Sequence, residues 1–167
     1  MGPMSTPTSL RLLPEPDVFD VLKQTLERVN KACNAARTRI LEGRVEGKAD
    51  RKAIVKEEMD RFKLPASLSA AAADRVILSL TRQKFGAYQS LALPAASVKW
   101  PASDRVNLPT AAGKRTIRVY NDPARGSLRP PLDGKPAALV FRNGEFDLVD
   151  ASDAPTGPVQ GLPWDRD

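Results

Sequence analysis

"GKRTIRVYNDPARGSLRPPLDGKPAALVFRNGEFDLVDASDAP", residues 113–155, contains the strongest strand signals in the chain. The runs AALVFR and EFDLVDA flank Asn143–Gly144, a dipeptide that favours a type I′ turn, so they predict a β-hairpin. Upstream of them, KRTIRVY alternates around the apolar Ile117 and Val119, which predicts a strand with one buried and one exposed side. The stretch therefore predicts three strands, with a long turn after the first.

Most of the chain before this sheet has helical periodicity. Apolar residues recur at steps of three and four between positions 18 and 40, which is typical of an amphipathic helix. We predict a long helix with Asp17 as its N-cap and Gly43 as its stop. A second helix is predicted over 50–64.

A third helix is predicted over 66–91, with Ser67 or Ser69 as its cap. A short apolar strand over 8–14 precedes all three helices. Because a lone strand is not stable, the opening strand is expected to join the later sheet. The sequence thus predicts an α+β fold: a small oligonucleotide-binding-type β-barrel with a three-helix insertion after its first strand.

This order also predicts how the chain divides. Residues 1–14 and 93–151 are expected to form the barrel, and residues 15–92 the helical insertion. Residues 152–167 are rich in Pro, Gly and Asp and are expected to form a flexible tail.

The composition excludes several classes of chemistry. With no histidine and a single cysteine, Cys33, the chain cannot build a usual zinc site, a Ser-His-Asp triad or an internal disulfide. It has no glycine-rich phosphate loop or nucleophile–base pair, so we expect no enzyme activity, no metal and no cofactor. It also has no run of about eighteen apolar residues and no signal-peptide pattern, so a cytoplasmic protein without a membrane partner is expected.

Positive charge is concentrated in the middle of the chain. The net charge is +6, and residues 75–120 contain 8 Lys or Arg against a single acid, Asp104. A concentrated excess of this kind is typical of a protein that binds a polyanion. The alternative is a solvated surface, and composition alone leaves both interpretations open.

Several stretches resemble the N-terminal half of the TnpB transposon nucleases and the related type V CRISPR effectors. LRLLPEPDVFDVLKQTLERVNKACNAA is similar to the opening strand, turn and helix of that family, with Asn30 and Asn34 as the late polar positions. LPASLSAAAADRVILSLTRQKFGAYQSL is similar to its third helix, which ends near an Ala-Tyr pair, here Ala87–Tyr88. SVKWPASDRVNLPTAAGKRTIRVY and PAALVFRNGEFDLVDASDAP resemble the strands of its barrel.

The resemblance implies a wedge domain, which is an oligonucleotide-binding-type barrel, with a helical recognition lobe inserted after its first strand. In that family these parts hold the guide RNA and cradle the guide–target duplex, while base pairing reads the target. The family's RuvC nuclease domain would follow, but this sequence ends at PTGPVQGLPWDRD. No apolar strand supports Asp165 or Asp167 there, so two-metal cleavage is not expected. The expected function is nucleic-acid binding without nuclease activity, as a subunit or a cleavage-dead relative.

The candidate contacts are cations with their polar and aromatic neighbours. Arg75, Ser79 and Arg82 share one predicted helix face that could follow phosphates. Trp100 could stack on a base, although a lone Trp in a small domain is more often part of the core. The full set is Asn34, Arg75, Ser79, Arg82, Lys84, Lys99, Trp100, Arg105, Lys114, Arg115, Arg118 and Tyr120.

The expected partners are a structured guide-type RNA and its target DNA, with either a separate RuvC nuclease chain or a second copy of this chain. Two other functions fit the same resemblance. The chain could be an inhibitor or regulator that mimics the nuclease's N-terminal half and binds its partners. It could also be an excised fragment of a full nuclease.

Overall fold

The opening strand lies in the middle of a sheet whose other strands all follow the helices. The computed structural model describes residues 9–78, 80, 85–120, 132 and 134–151. The helices are α1 (Pro16–Glu42), α2 (Lys48–Arg61) and α3 (Ala66–Leu78). The strands are β1 (Ser9–Leu13), β2 (Leu91–Leu93), β3 (Lys99–Ala102), β4 (Arg105–Thr110), β5 (Gly113–Val119), β6 (Ala137–Arg142) and β7 (Glu145–Asp150), and a single 3₁₀ turn, Ala95–Ser97, separates β2 from β3.

Within the described ranges, one sheet of 7 antiparallel strands has the order β2-β6-β7-β1-β5-β4-β3. Strand β1 pairs with β7 through Leu10 opposite Leu148, and with β5 through Leu12 opposite Val119. The opening strand therefore joins the later sheet, as the sequence predicts. The fold is α+β, with three helices and a curled half-barrel.

The short link between β2 and β3 explains the curl. These two strands lie at opposite ends of the sheet order, yet Leu93 and Lys99 are close neighbours in sequence. A flat sheet would place its first and last strands about 29 Å apart, at about 4.8 Å per strand. A link of this length reaches at most about 21 Å even when fully extended. The sheet must therefore bend to bring its two edges together.

The β6–β7 hairpin forms at the predicted dipeptide. Asn143 and Gly144 have φ of 55° and 77°, the positive values that a type I′ turn requires at both central positions. The turn sets the register, with Arg142 opposite Glu145 and Phe141 opposite Phe146. The hairpin prediction is confirmed.

The long first helix differs from the prediction only at its start. Helix α1 begins at Pro16 with Glu15 as its N-cap, so the prediction of Asp17 as N-cap was wrong. Proline suits the first helical position, because its fixed φ is already helical and its missing N–H would have no partner there. The helix ends at Gly43, as predicted, where the glycine N–H donates to the carbonyl of Arg39.

The third helix is shorter than the sequence pattern predicts. Helix α3 begins at Ala66, so Ser67 and Ser69 lie inside it rather than at its cap. Residues 85–90 are not helical and contain a turn at Ala87–Tyr88, so the prediction of helix there was wrong. The second helix, α2, begins two residues before its predicted start and ends within its predicted range.

The core lies between α1 and the inner face of the sheet. Leu22, Leu26 and Val29 of α1 are fully buried, and they belong to the same apolar cluster as Leu108, Ile117 and other inward residues of the strands. A polar contact ties the two layers together, because the N–H of Ala111 donates to Thr25 Oγ1 at 2.8 Å. None of the helices in the described part of the chain is both long and apolar enough to cross a membrane.

Candidate nucleic-acid interface

The two faces of β5 differ in chemistry from Thr116 onward. Its inward residues Ile117 and Val119 are buried in the core, whereas Lys114, Thr116 and Arg118 point outward and are exposed. The predicted alternation along this strand is therefore confirmed. On the outward face, Lys114 and Arg118 are four residues apart, with Thr116 between them.

The strand register brings further polar and charged residues onto the same face. Arg118 lies opposite Arg105, Thr116 opposite Asn107, and Asn107 in turn opposite Lys99. Thr116 Oγ1 donates to Asn107 Oδ1 at 2.5 Å, which fixes the middle of this surface. We call this surface the outer β3–β5 face; it comprises Lys99, Arg105, Asn107, Lys114, Thr116 and Arg118.

The outer β3–β5 face contains a cross-strand pair of like charges. Arg105 and Arg118 are direct partners in the ladder, and both are exposed. Within the part of the chain that the structure describes, neither forms an ion pair. Like charges directly opposite each other destabilise an antiparallel pair. The repulsion between Arg105 and Arg118 therefore lowers the stability of the fold. An anion bound to this face would reduce that repulsion.

The other half of the same outward surface is neutralised. Arg11 on β1 binds Asp147 through Nε at 2.5 Å and also forms an ion pair with Glu145. Arg142 reaches the second oxygen of Asp147 at 3.4 Å. The hydrogen bond to Asp147 contributes most to raising the pKa of Arg11 above its usual value. Within the described residues, charge is therefore segregated across β1: cations in ion pairs lie on the β6–β7 side, and cations without an ion pair lie on the β3–β5 side.

Two residues with apolar surface border the cations of the outer β3–β5 face. Tyr120 follows β5 on the outward side, its N–H donates to the carbonyl of Arg11 at 2.9 Å, and the residue is 52% exposed. Leu13 lies opposite Arg118 in the ladder and is 42% exposed. An exposed ring and an exposed alkyl group beside a guanidinium are the surroundings in which an unpaired base can stack.

Two further predicted residues lie elsewhere. Arg115 alternates with Lys114 and points to the other side of β5, where it is half-buried opposite Leu108. Its Nη1 donates to the carbonyl of Lys114 at 3.0 Å. Trp100 is half-buried and packs against the core, which is the more common place for a Trp in a small domain. Neither side chain belongs to the outer β3–β5 face.

Asn34 has a structural task in the turn region before β2. Its Nδ2 donates to the carbonyl of Phe85 at 2.8 Å, and its Oδ1 accepts from the N–H of Phe85 at 2.7 Å. Both ends of the amide are therefore engaged by the chain itself. One turn earlier on α1, Asn30 Nδ2 donates to the carbonyls of Ala87 and Gln89 at 3.0 and 3.2 Å. The two asparagines hold residues 85–89 against α1.

Arg75 points inward rather than along a phosphate-binding helix face. Its guanidinium lies over the Phe85 ring, 4.2 Å from the centroid, and both Nη atoms are buried without a hydrogen-bond partner among the described residues. Burial lowers the pKa of Arg75, while the nearby Cys33 acts in the opposite direction. Burial also raises the pKa of the Cys33 thiol, so this cysteine stays protonated at neutral pH. The proposed exposed face through Arg75 was therefore wrong at this residue.

Ser79, Arg82 and Lys84 lie outside the described residues, so their role stays a prediction. Asn107 and Leu13 were not singled out from the sequence. The alternation of RVNLP predicts that Asn107 points outward, but the position of Leu13 beside Arg118 follows only from the pairing of β1 with β5. Among the described residues, no group of three His, Cys, Asp or Glu side chains is placed to hold a metal ion.

Comparisons of this chain with protein-family models, with curated proteins and with solved structures found no match. The geometry of the outer β3–β5 face is therefore the basis for a functional assignment.

Proposed function

We propose that this chain is a nucleic-acid-binding module that holds a structured guide-type RNA and cleaves nothing itself. One observation carries the proposal: Lys99, Arg105 and Arg118 share one exposed sheet face on which no acid neutralises them within the described residues. Backbone phosphates would release counterions on binding such a face and would offset its internal repulsion.

The composition of the face favours a polynucleotide over an acidic protein. An interface core between proteins is depleted of charge and built on buried apolar anchors. Here the centre of the face is formed by the Asn107–Thr116 hydrogen bond and the cations around it, and the apolar residues Leu13 and Tyr120 lie at its border. Polar centres with surrounding Lys and Arg suit sugar, phosphate and base edges.

A more specific proposal concerns the family relationship. The three helices lie between β1 and β2 in sequence, and β1 sits at the centre of the sheet. This order supports an oligonucleotide-binding-type barrel opened by a helical lobe, which the resemblance to the TnpB and type V effectors implies. In that arrangement the chain is a subunit or a cleavage-dead relative that carries guide RNA, and its target DNA pairs with the guide.

The binding test uses two variants that remove equal charge. The triple change Lys99→Gln, Arg105→Gln and Arg118→Gln removes three cations from the outer β3–β5 face. The matched control, Lys48→Gln, Lys52→Gln and Lys56→Gln, removes three exposed lysines from one side of α2. Affinity for a labelled structured RNA is measured by fluorescence anisotropy at about 0.15 M salt with bulk competitor RNA present.

The wild type and the α2 variant are expected to bind alike, because the α2 lysines lie outside the outer β3–β5 face. The sheet variant should lose affinity and show a salt slope smaller by roughly two to three, at about 0.7–0.9 per lost phosphate contact. Absence of binding above competitor, or equal losses in both variants, would refute the proposal. Recovery of a protein partner without nucleic acid would instead support the regulator alternative.

A further inference from the structure

Tyr120 places an exposed aromatic ring at the border of the outer β3–β5 face. The Tyr120 side chain makes no hydrogen bond, ion pair or ring contact among the described residues, and about half of the residue is exposed. The other tyrosine behaves differently, because the Tyr88 hydroxyl bonds Glu27 and its ring packs on Phe141 at 5.2 Å. The Tyr120 ring is therefore available to a ligand.

The position of this ring relative to the cations favours an unpaired strand over a base-paired duplex. Tyr120 is two residues after Arg118, about 7 Å along the strand direction, and both residues are exposed while Val119 between them is buried. In a base-paired duplex the faces of the bases are covered by the neighbouring base pairs. An aromatic ring that lies beside cations bound to the phosphates therefore cannot contact the face of a base. An unpaired strand offers both a base face and adjoining phosphates.

We propose that the outer β3–β5 face takes an unpaired stretch of the RNA, with one base stacked on Tyr120 and the flanking phosphates held by Arg118 and Arg105. This inference rests on the proposed function and specifies the ligand of the same site. Leu13, opposite Arg118 in the ladder, provides the alkyl contact beside the stacked base.

The size of the face fits a short segment. From Lys114 to Tyr120 the strand direction covers about 20 Å, and from β3 to β5 the face is about 10 Å wide. This area accommodates only a few nucleotides, near the lower end of the roughly 4–16 nucleotides that small β-barrel modules cover. A path along β5 would bring one end of the segment to Tyr120 and the other to Lys114.

The experiment compares one strand in two forms. The probes are a single-stranded RNA of about 12 nucleotides and the same RNA annealed to its full complement, a length within the range that one barrel module covers. The variants are Tyr120→Ala, which removes the ring, and Tyr120→Phe, which keeps it. Leu41→Ala, an exposed apolar change near the C-terminal end of α1, which packs on the inner face of the sheet, is the matched control.

Tyr120→Ala should weaken single-strand binding by about 5- to 150-fold, the range that corresponds to the loss of one base–aromatic stack. It should change duplex binding less than about twofold, because only phosphate contacts remain there. Tyr120→Phe and Leu41→Ala should bind the single strand like the wild type.

Two negative results are distinguishable. If neither RNA form binds the wild type, the proposed function itself fails. If the duplex binds as tightly as the single strand, or if Tyr120→Ala leaves single-strand affinity unchanged, only the inference about an unpaired strand is overturned.

Discussion

Reversing one charge on the outer β3–β5 face should stabilise the fold and weaken RNA binding. Arg118→Glu replaces the repulsion between residues 105 and 118 with an attraction, at two exposed positions that are direct ladder partners. Removing a like-charge pair and adding an opposite-charge pair are each worth about 0.2–1 kcal/mol in an antiparallel sheet. The free energy of unfolding should therefore rise by about 0.4–2 kcal/mol at low salt.

A gain of this size corresponds to an increase in Tm of about 1–8 °C for a chain of this length, measured by circular dichroism. The gain should shrink as salt is raised, since exposed charges are screened. Arg118→Gln, which removes the repulsion without adding an attraction, should give about half the increase. In the anisotropy assay, Arg118→Glu should lose more RNA affinity than Arg118→Gln, because it places a negative charge against the phosphates.

The reasoning fails if Arg118→Glu lowers Tm at low salt, since the two arginines would then not repel each other. It also fails if the variant is more stable but binds RNA as the wild type does. Most destabilised variants lose both properties together, so a gain in stability combined with a loss of binding is specific to this arrangement.

Three further predictions concern residues away from the outer face. Asn34→Ala should lower the free energy of unfolding by about 1–3 kcal/mol in a urea titration, because it leaves the backbone N–H and carbonyl of Phe85 without their partner. An unchanged urea midpoint would contradict the role of this amide. Arg75→Met should leave stability unchanged or raise it in the same titration. Among the described residues the buried guanidinium has no hydrogen-bond partner, and burying it costs several kcal/mol, more than the roughly 0.5–2 kcal/mol of its contact with Phe85. The change should leave the RNA salt slope as it is in the wild type. Burial, reinforced by Glu27, raises the pKa of Tyr88 to about 12, whereas the unfolded chain loses this proton near pH 10. The free energy of unfolding should therefore fall as pH rises from about 10 to 12. Tyr88→Phe should weaken that fall in pH-dependent urea titrations, and an equal pH slope in both proteins would refute the prediction.

Local signals in the sequence were sufficient for several parts of the fold. The β6–β7 hairpin follows from Asn143–Gly144, because the positive φ of both residues is set within the turn itself. The end of α1 at Gly43 is also local, since the chain there needs only a residue that stops the helical ladder. The α+β class and the joining of β1 to the sheet followed from the order of elements, although the oligonucleotide-binding type of the barrel stays a prediction.

Long-range contacts explain what the sequence pattern could not predict. The helix expected over 66–91 does not include Phe85, because Asn34, far away in sequence, binds both backbone groups of Phe85 in place of helical partners. Arg75 was assigned to an exposed helix face from its spacing, but its burial depends on the segment that Asn34 and Asn30 hold against α1. Helical spacing alone does not predict which side of a helix another part of the chain will cover.

The candidate site shows the same division between local and long-range information. The outward set of β5 was predictable from its strict alternation. The opposition of Arg105 and Arg118 was not, because it depends on the β4–β5 register, in which Thr110 pairs with Gly113. A shift of one residue would have placed Arg118 beside a different neighbour.

The location of bound RNA is tested most directly by the chemical reactivity of lysines. Acetylation of the native protein, followed by mass spectrometry, reports the accessibility of each lysine with and without the single-stranded RNA. We predict that RNA protects Lys99 and Lys114 on the outer β3–β5 face and leaves Lys48, Lys52 and Lys56 on α2 as reactive as before. Protection of the α2 lysines, with Lys99 and Lys114 still fully reactive, would contradict the account.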